Sequence, residues 1–177
     1  MAMQAEIAAS KRTSTAAGKI TMIESLEFVV YCHPEPQGSS RGFPIRRANG
    51  KIGVVITSAN SKLKPFRHIC AQTAVVAMSS AGCPMPFADK HVPVRVKLDC
   101  YFQKPESVSK KRLFPVVKPD IDKLLRALLD SWTGVLFSDD AQVCSVDISK
   151  HYGVPERIEA TIRKAAVEPT SEQQRLL

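Results

Sequence analysis

Apolar residues along this chain recur at two spacings, every second position and every third or fourth, and the two spacings divide its middle into strands and helices. Leu26, Phe28, Val30 and Cys32 alternate with other side chains, as do Val94, Val96, Leu98, Cys100 and Phe102. Each row gives one face of a strand to a core. Cys144, Val146 and Ile148 form a third row and Ile158, Ala160 and Ile162 a fourth, separated by a segment whose Gly153 and Pro155 suit a turn. A shorter strand is expected over 52–57, after the turn-forming Asn49-Gly50.

Helical spacing appears twice. Phe66, Ile69, Cys70, Thr73, Ala74 and Ala77 predict a first helix with Pro65 in its first turn, where a missing N–H costs little. Ile121, Leu124, Leu125, Leu128, Leu129 and Trp132 form an apolar stripe along a second, which Thr133-Gly134 should end because Gly accepts the left-handed cap conformation. Trp132 continues that stripe and is expected in the core or at a dimer contact. The order β, β, α, β, α, β, β predicts an α+β fold: a single domain over 22–166 with a small mixed or antiparallel sheet and two main helices. Residues 1–21, rich in Ala, Ser, Thr and Lys, read as a flexible lead-in, and the polar 167–177 as a tail.

The chain has 177 residues, 44% of them hydrophobic, enough for one core. No apolar run reaches the roughly 18 residues of a spanning helix and no signal-peptide core is present, so a soluble cytoplasmic protein without membrane partners is expected. Five scattered cysteines without zinc spacing agree with a reducing compartment. The four histidines, His33, His68, His91 and His151, are dispersed and read as surface or turn residues.

Charge changes the picture. Lys and Arg number 25 against 17 Asp and Glu, a formal net charge of +8. Between Pro36 and Ala88 there is no acidic residue, while Arg41, Arg46, Arg47, Lys51, Lys62, Lys64 and Arg67 fall in that interval. A second basic stretch carries Lys104, Lys110, Lys111, Arg112 and Lys118 against the single acid Glu106. Such one-signed stretches suit a phosphate backbone, whose counterions Lys and Arg displace. Lys123 extends the cationic set onto the second helix.

Against this background stands an acidic group: Asp120, Asp122 and Asp130 on the second helix, then Asp139-Asp140. Each has a structural use. Asp120 suits an N-cap, Asp122 the positive helix start, and Arg126 an ion pair with Asp122 or Asp130. Ser138-Asp139-Asp140 is not explained this way. If Gly134 reverses the chain, the segment after it, at about 3.3 Å per extended residue, is long enough to return Asp140 to the helix start. Three carboxylates meeting there would need a cation, and hard oxygen donors favour Mg2+ or Mn2+.

At these residues the sequence resembles the RusA family of Holliday junction resolvases, small phage and prophage endodeoxyribonucleases whose pattern is approximately D-x-D-N-x-x-K, then Asp and Gly, then D-D-x-Q. The corresponding residues are Asp120, Asp122, Lys123 and Arg126, then Asp130 and Gly134, then Asp139, Asp140 and Gln142. A looser likeness covers 34–74, and the whole spans about 25–165. The resemblance implies a homodimer that binds a four-way DNA junction and, with magnesium, nicks two strands symmetrically in recombination and repair. It places metal-binding acids on Asp120, Asp122 and Asp140, with Asp139 beside them, and the catalytic cation on Arg126, where the family has Lys. Lys123 stands where the family has Asn. Two other readings stay open: a non-catalytic DNA-binding module whose acids only brace the helix, and a metal-dependent nuclease acting on flaps, forks or RNA.

Overall fold

The computed structural model describes residues 24–58 and 60–165. The expected lead-in and tail, 1–21 and 167–177, lie outside the described residues. In chain order the elements are β1 (Ser25–Val30), β2 (Ser40–Arg46), β3 (Ile52–Ser58), α1 (Leu63–Ala81), β4 (Val94–Phe102), α2 (Ile121–Trp132), β5 (Val143–Tyr152) and β6 (Arg157–Lys164). A single 3-10 turn, Asp140–Gln142, leads into β5. The fold is α+β, as the periodicities predict.

β1, β6, β4 and β5 form one mixed sheet in that order, antiparallel at both β6 contacts and parallel between β4 and β5. The expected rows on β1, β4 and β6 are its buried face: Leu26, Phe28 and Val30, then Val94 through Phe102 at alternate positions, then Ile158, Ala160 and Ile162. Phe66, Cys70 and Ala74 of α1 and Leu124, Leu128 and Trp132 of α2 close over that face. Trp132 is fully buried, its Nε1 donating to the Cys70 carbonyl at 3.2 Å and its ring edge-on to Phe28. Burial pushes the Cys100 thiol up to about 12, and a hydrogen bond with Cys32 raises that of Cys70, so neither is a thiolate at neutral pH.

Three details depart from the periodicities. α2 buries Ala127 and Ser131 where the expected stripe has Ile121, which is 40% exposed. Ala127 and Ser131 are small enough to be buried on the packed side of α2, and Ser131 satisfies its hydroxyl on the Ala127 carbonyl at 2.6 Å. On β5, Cys144 and Val146 are exposed rather than buried, because β5 is an edge strand that α2 scarcely covers. Finally, the periodicities show no strand over 40–46, yet β2 pairs with β3 in a separate two-stranded arm. Gly42 and Pro44 weaken its strand signal, and Phe43, Ile45, Ile52 and Val54 are exposed, so no buried row marks it.

The parallel β4/β5 pair decides where the acids go. A parallel strand must start at the same end as its neighbour, so α2 is the crossover that carries the chain back. The 3-10 turn before β5 therefore sits by the C-terminal end of α2, and the far end of β5 sits by its N-terminal end.

Candidate functional site

The site begins at the start of α2. Asp120 occupies the N-cap position in an extended conformation but caps nothing; its carboxylate meets Lys123 Nζ at 2.9 Å instead. The Lys123 hydrogen bond and charge hold the Asp120 carboxyl below its ordinary range, with Lys118 and Lys150 adding to the effect. Asp120 in turn raises Lys123. Asp122 follows in the first turn, exposed.

Residues 36–39, between β1 and β2, lie across this end of α2, with the Gln37 amide donating to the Lys123 carbonyl at 2.9 Å. They divide it into two adjoining hollows. Asp122, Lys123 and Arg126 line one, Lys118, Pro119, Asp120 and Lys123 the other, and Gln37, Gly38 and Ser39 border both. Lys123 thus stands between the two acids and competes for Asp120 with any other cation. Arg126 is exposed, one turn beyond Asp122.

Asp139 and Asp140 have separate situations. Asp139 Oδ1 accepts from the Ala141 amide at 2.9 Å and caps the 3-10 turn. Gln142 locks the same turn: its Oε1 accepts from the Ser138 and Asp139 amides at 2.8 and 3.1 Å, and its Nε2 donates to the Asp89 and Val92 carbonyls at 2.7 and 3.0 Å. Asp140 is left exposed on a rigid turn.

The three carboxylates do not converge. Among the described residues no group of three His, Cys, Asp or Glu side chains is placed to hold a metal. The expected reversal at Gly134 does occur, with φ +79° and its amide on the Phe137 carbonyl at 2.7 Å, but it delivers the chain into β5 and not back along α2. From Val143 to Lys150 an extended strand covers about 23 Å at about 3.3 Å per residue. What reaches the start of α2 is Lys150, whose Nζ donates to the carbonyls of Val117 and Pro119, both at 2.9 Å. Lys150 was missed by reasoning from motifs, although it continues the alternate row of Val146 and Ile148, where a lysine is out of character.

The basic residues also separate. Arg46 and Arg47 are exposed at the tip of the β2–β3 arm, and Lys62 and Lys64 at the start of α1, Lys62 lying 3.9 Å from Glu35. The side chain of Arg41 lies outside the described residues. Lys110, Lys111, Arg112 and Lys118 are exposed on the loop before α2. Arg67 differs: it is a brace between helices, bonded to Asp130 of α2 and to Gln37. Asp130 is thereby tied to Arg67, where the helical spacing suggested Arg126.

Two of the histidines are paired: His33 lies 2.9 Å from Glu156 and His151 2.8 Å from Asp99. No helix among the described residues is long and apolar enough to cross a membrane.

A family model described as "Endodeoxyribonuclease RusA" matches residues 35–163, from the segment that borders the hollows to the end of β6. The chain is also similar to the "Uncharacterized protein YqaN" of Bacillus subtilis (strain 168), 26% identical over 144 residues, which is 81% of this chain and 99% of that protein.

Proposed function

Since the chain belongs to the RusA family of endodeoxyribonucleases, we propose that it is a magnesium-dependent, structure-specific endonuclease that resolves four-way DNA junctions by paired symmetric nicks, acting as a homodimer. The observation that carries this reading is the presentation of Asp120 and Asp122 at two adjoining hollows, on a helix anchored by Leu124, Leu128 and Trp132 and beside an exposed cationic loop.

Carboxylate oxygens suit magnesium or manganese; His33 also lines the Asp120 hollow, but its Nδ1 is engaged by Glu156 at 2.9 Å. One chain supplies an incomplete set, because Asp140 stands at the other end of α2. Asp120 and Asp122 of one copy with Asp140 of the partner subunit complete it, which fits a reaction that makes two symmetry-related cuts. A cation held there would polarise the scissile phosphodiester and stabilise the leaving oxygen.

The chain's own side chains do the rest. Lys110, Lys111, Arg112 and Lys118 hold phosphates beside the cut, and Arg46 and Arg47 reach further along the backbone from the arm. Arg126 stabilises negative charge as it builds on the phosphoryl group but keeps its proton. Lys123, held charged by Asp120, also acts through charge.

Mixing two inactive variants tests the shared site. Asp122→Asn and Asp140→Asn are each expected to abolish nicking. Heterodimers of the two carry one intact site and should regain single nicks; mixtures that stay inactive, with subunit exchange demonstrated, would contradict a site built from two copies.

A further inference from the structure

The loop between β4 and α2 holds an apolar segment out to solvent. Leu113, Phe114, Val116 and Val117 are 74, 58, 73 and 58% exposed, between the cations Lys110 to Arg112 and Lys118. The loop is not slack. Lys104 Nζ donates to the carbonyls of Lys110 and Arg112 at 3.1 and 2.7 Å before the segment, and Lys150 holds the Val117 carbonyl after it.

Phe114 is also the outer end of a column of planar groups across the open face of the sheet. The Arg157 guanidinium lies 3.7 Å from the centre of the Tyr101 ring, Tyr101 stacks on His151 at 5.0 Å, and His151 meets Phe114 at 6.2 Å. A hydrogen bond to Asp99 sets the His151 ring, and one to Glu159 sets Arg157. His151 thus supports Phe114 from one side, the two rings tilted at 51°, while Phe114 stays 58% exposed.

From this geometry we propose that Phe114 is a stacking platform for a nucleotide base displaced from the helical stack at a DNA branch point. A π face on a braced support attracts any base, and neighbouring Lys and Arg draw the backbone to it. Apolar side chains inserted between base steps are a general means of opening a duplex, and Leu113 stands beside Phe114 to do this. In an intact duplex the bases are stacked on one another, so the platform favours DNA with an open centre. The inference rests on the DNA-binding part of the proposed function.

The test compares affinities, without divalent metal so that nothing is cut, for a four-way junction and a linear duplex of the same sequences. It uses the wild type, Phe114→Ala, Phe114→Trp and Leu113→Ala, with the molar mass of each measured by light scattering. Phe114→Ala should weaken junction binding about tenfold, within the range for loss of one stacked base, and leave duplex binding unchanged. Phe114→Trp should restore it, and Leu113→Ala should weaken it less. A junction preference that survives Phe114→Ala would overturn the platform and leave the proposed function standing. A wild type with no preference would overturn both. Loss of a dimer in Phe114→Ala would assign the segment to a second copy of the chain and overturn the proposal.

Discussion

Lys150 Nζ donates a 2.9 Å hydrogen bond to the carbonyl of Pro119, the residue before Asp120, and an equal one to Val117. One ammonium on an edge strand thus fixes the segment that delivers the first candidate catalytic acid. Lys150→Met should cost about 2 kcal/mol of stability, the order for losing hydrogen bonds to a charged donor at an intermediate burial, read from urea midpoints. Cleavage should fall at least about tenfold while junction affinity changes less than twofold, with partial recovery in Lys150→Arg. Cleavage that drops only in proportion to the unfolded fraction would make Lys150 a stability residue alone.

Asp122 opens on a hollow with Lys123 and Arg126 and makes no cap or brace in the fold. Asp122→Asn should therefore keep its stability, bind a junction as tightly as the wild type or more tightly, and lose cleavage on the order of a thousandfold, the scale of removing a group that positions a Lewis acid. Unchanged nicking would remove Asp122 from the site.

Exposed cations on the loop before α2 imply salt-sensitive binding. Each phosphate contact contributes about 0.9 to the slope of log K against log salt, so replacing Lys110, Lys111 and Arg112 by Ala should lower that slope by about 2 to 3 on duplex DNA. Replacing Arg67 should not act this way: its guanidinium already serves Asp130 and Gln37. Its loss should appear in thermal stability, with the salt slope unaltered.

Much of this was legible in the chain. Rows such as Val94 to Phe102 reveal strands because a half-buried strand must alternate, and the spacing of Leu124, Leu128 and Trp132 reveals a helix because that stripe meets a core. Strand direction was less legible: alternation on β4 and β5 is the same whether they pair parallel or antiparallel, although a helix between two strands is itself a signal of a parallel crossover. That one choice sends Asp140 to the far end of α2. The pairing of Arg67 with Asp130, on different helices, depends on a contact that no local pattern records, and of the β2–β3 arm only the Asn49-Gly50 turn and β3 were legible, not β2. Gln142 was legible as part of a motif, but its four hydrogen bonds, which separate the roles of Asp139 and Asp140, are visible only once 89–92 packs beside it.

Glu156 supplies a pH signature. Burial alone would raise its carboxyl, but the Gln103 amide at 3.1 Å and the His33 ring at 2.9 Å outweigh it and hold the carboxyl below the ordinary range. A carboxyl depressed in the folded state stabilises the fold above its unfolded value, about pH 4.3, and loses that contribution as pH falls through the folded value. Glu156→Gln should be less stable than the wild type at pH 7, with the difference shrinking below about pH 4. Urea midpoints of both proteins across that range check this, and a constant difference would contradict it.

Asp120, Asp122 and Asp140 are proposed to cut branched DNA with a divalent cation. The most direct measurement is cleavage of a synthetic four-way junction beside linear duplex, a flap and single strands of the same sequence, with and without magnesium. Paired, symmetric nicks in the junction, dependent on magnesium and absent from the linear duplex, are the predicted result. Equal cutting of all four substrates, or junction cutting that persists in chelator, would contradict it.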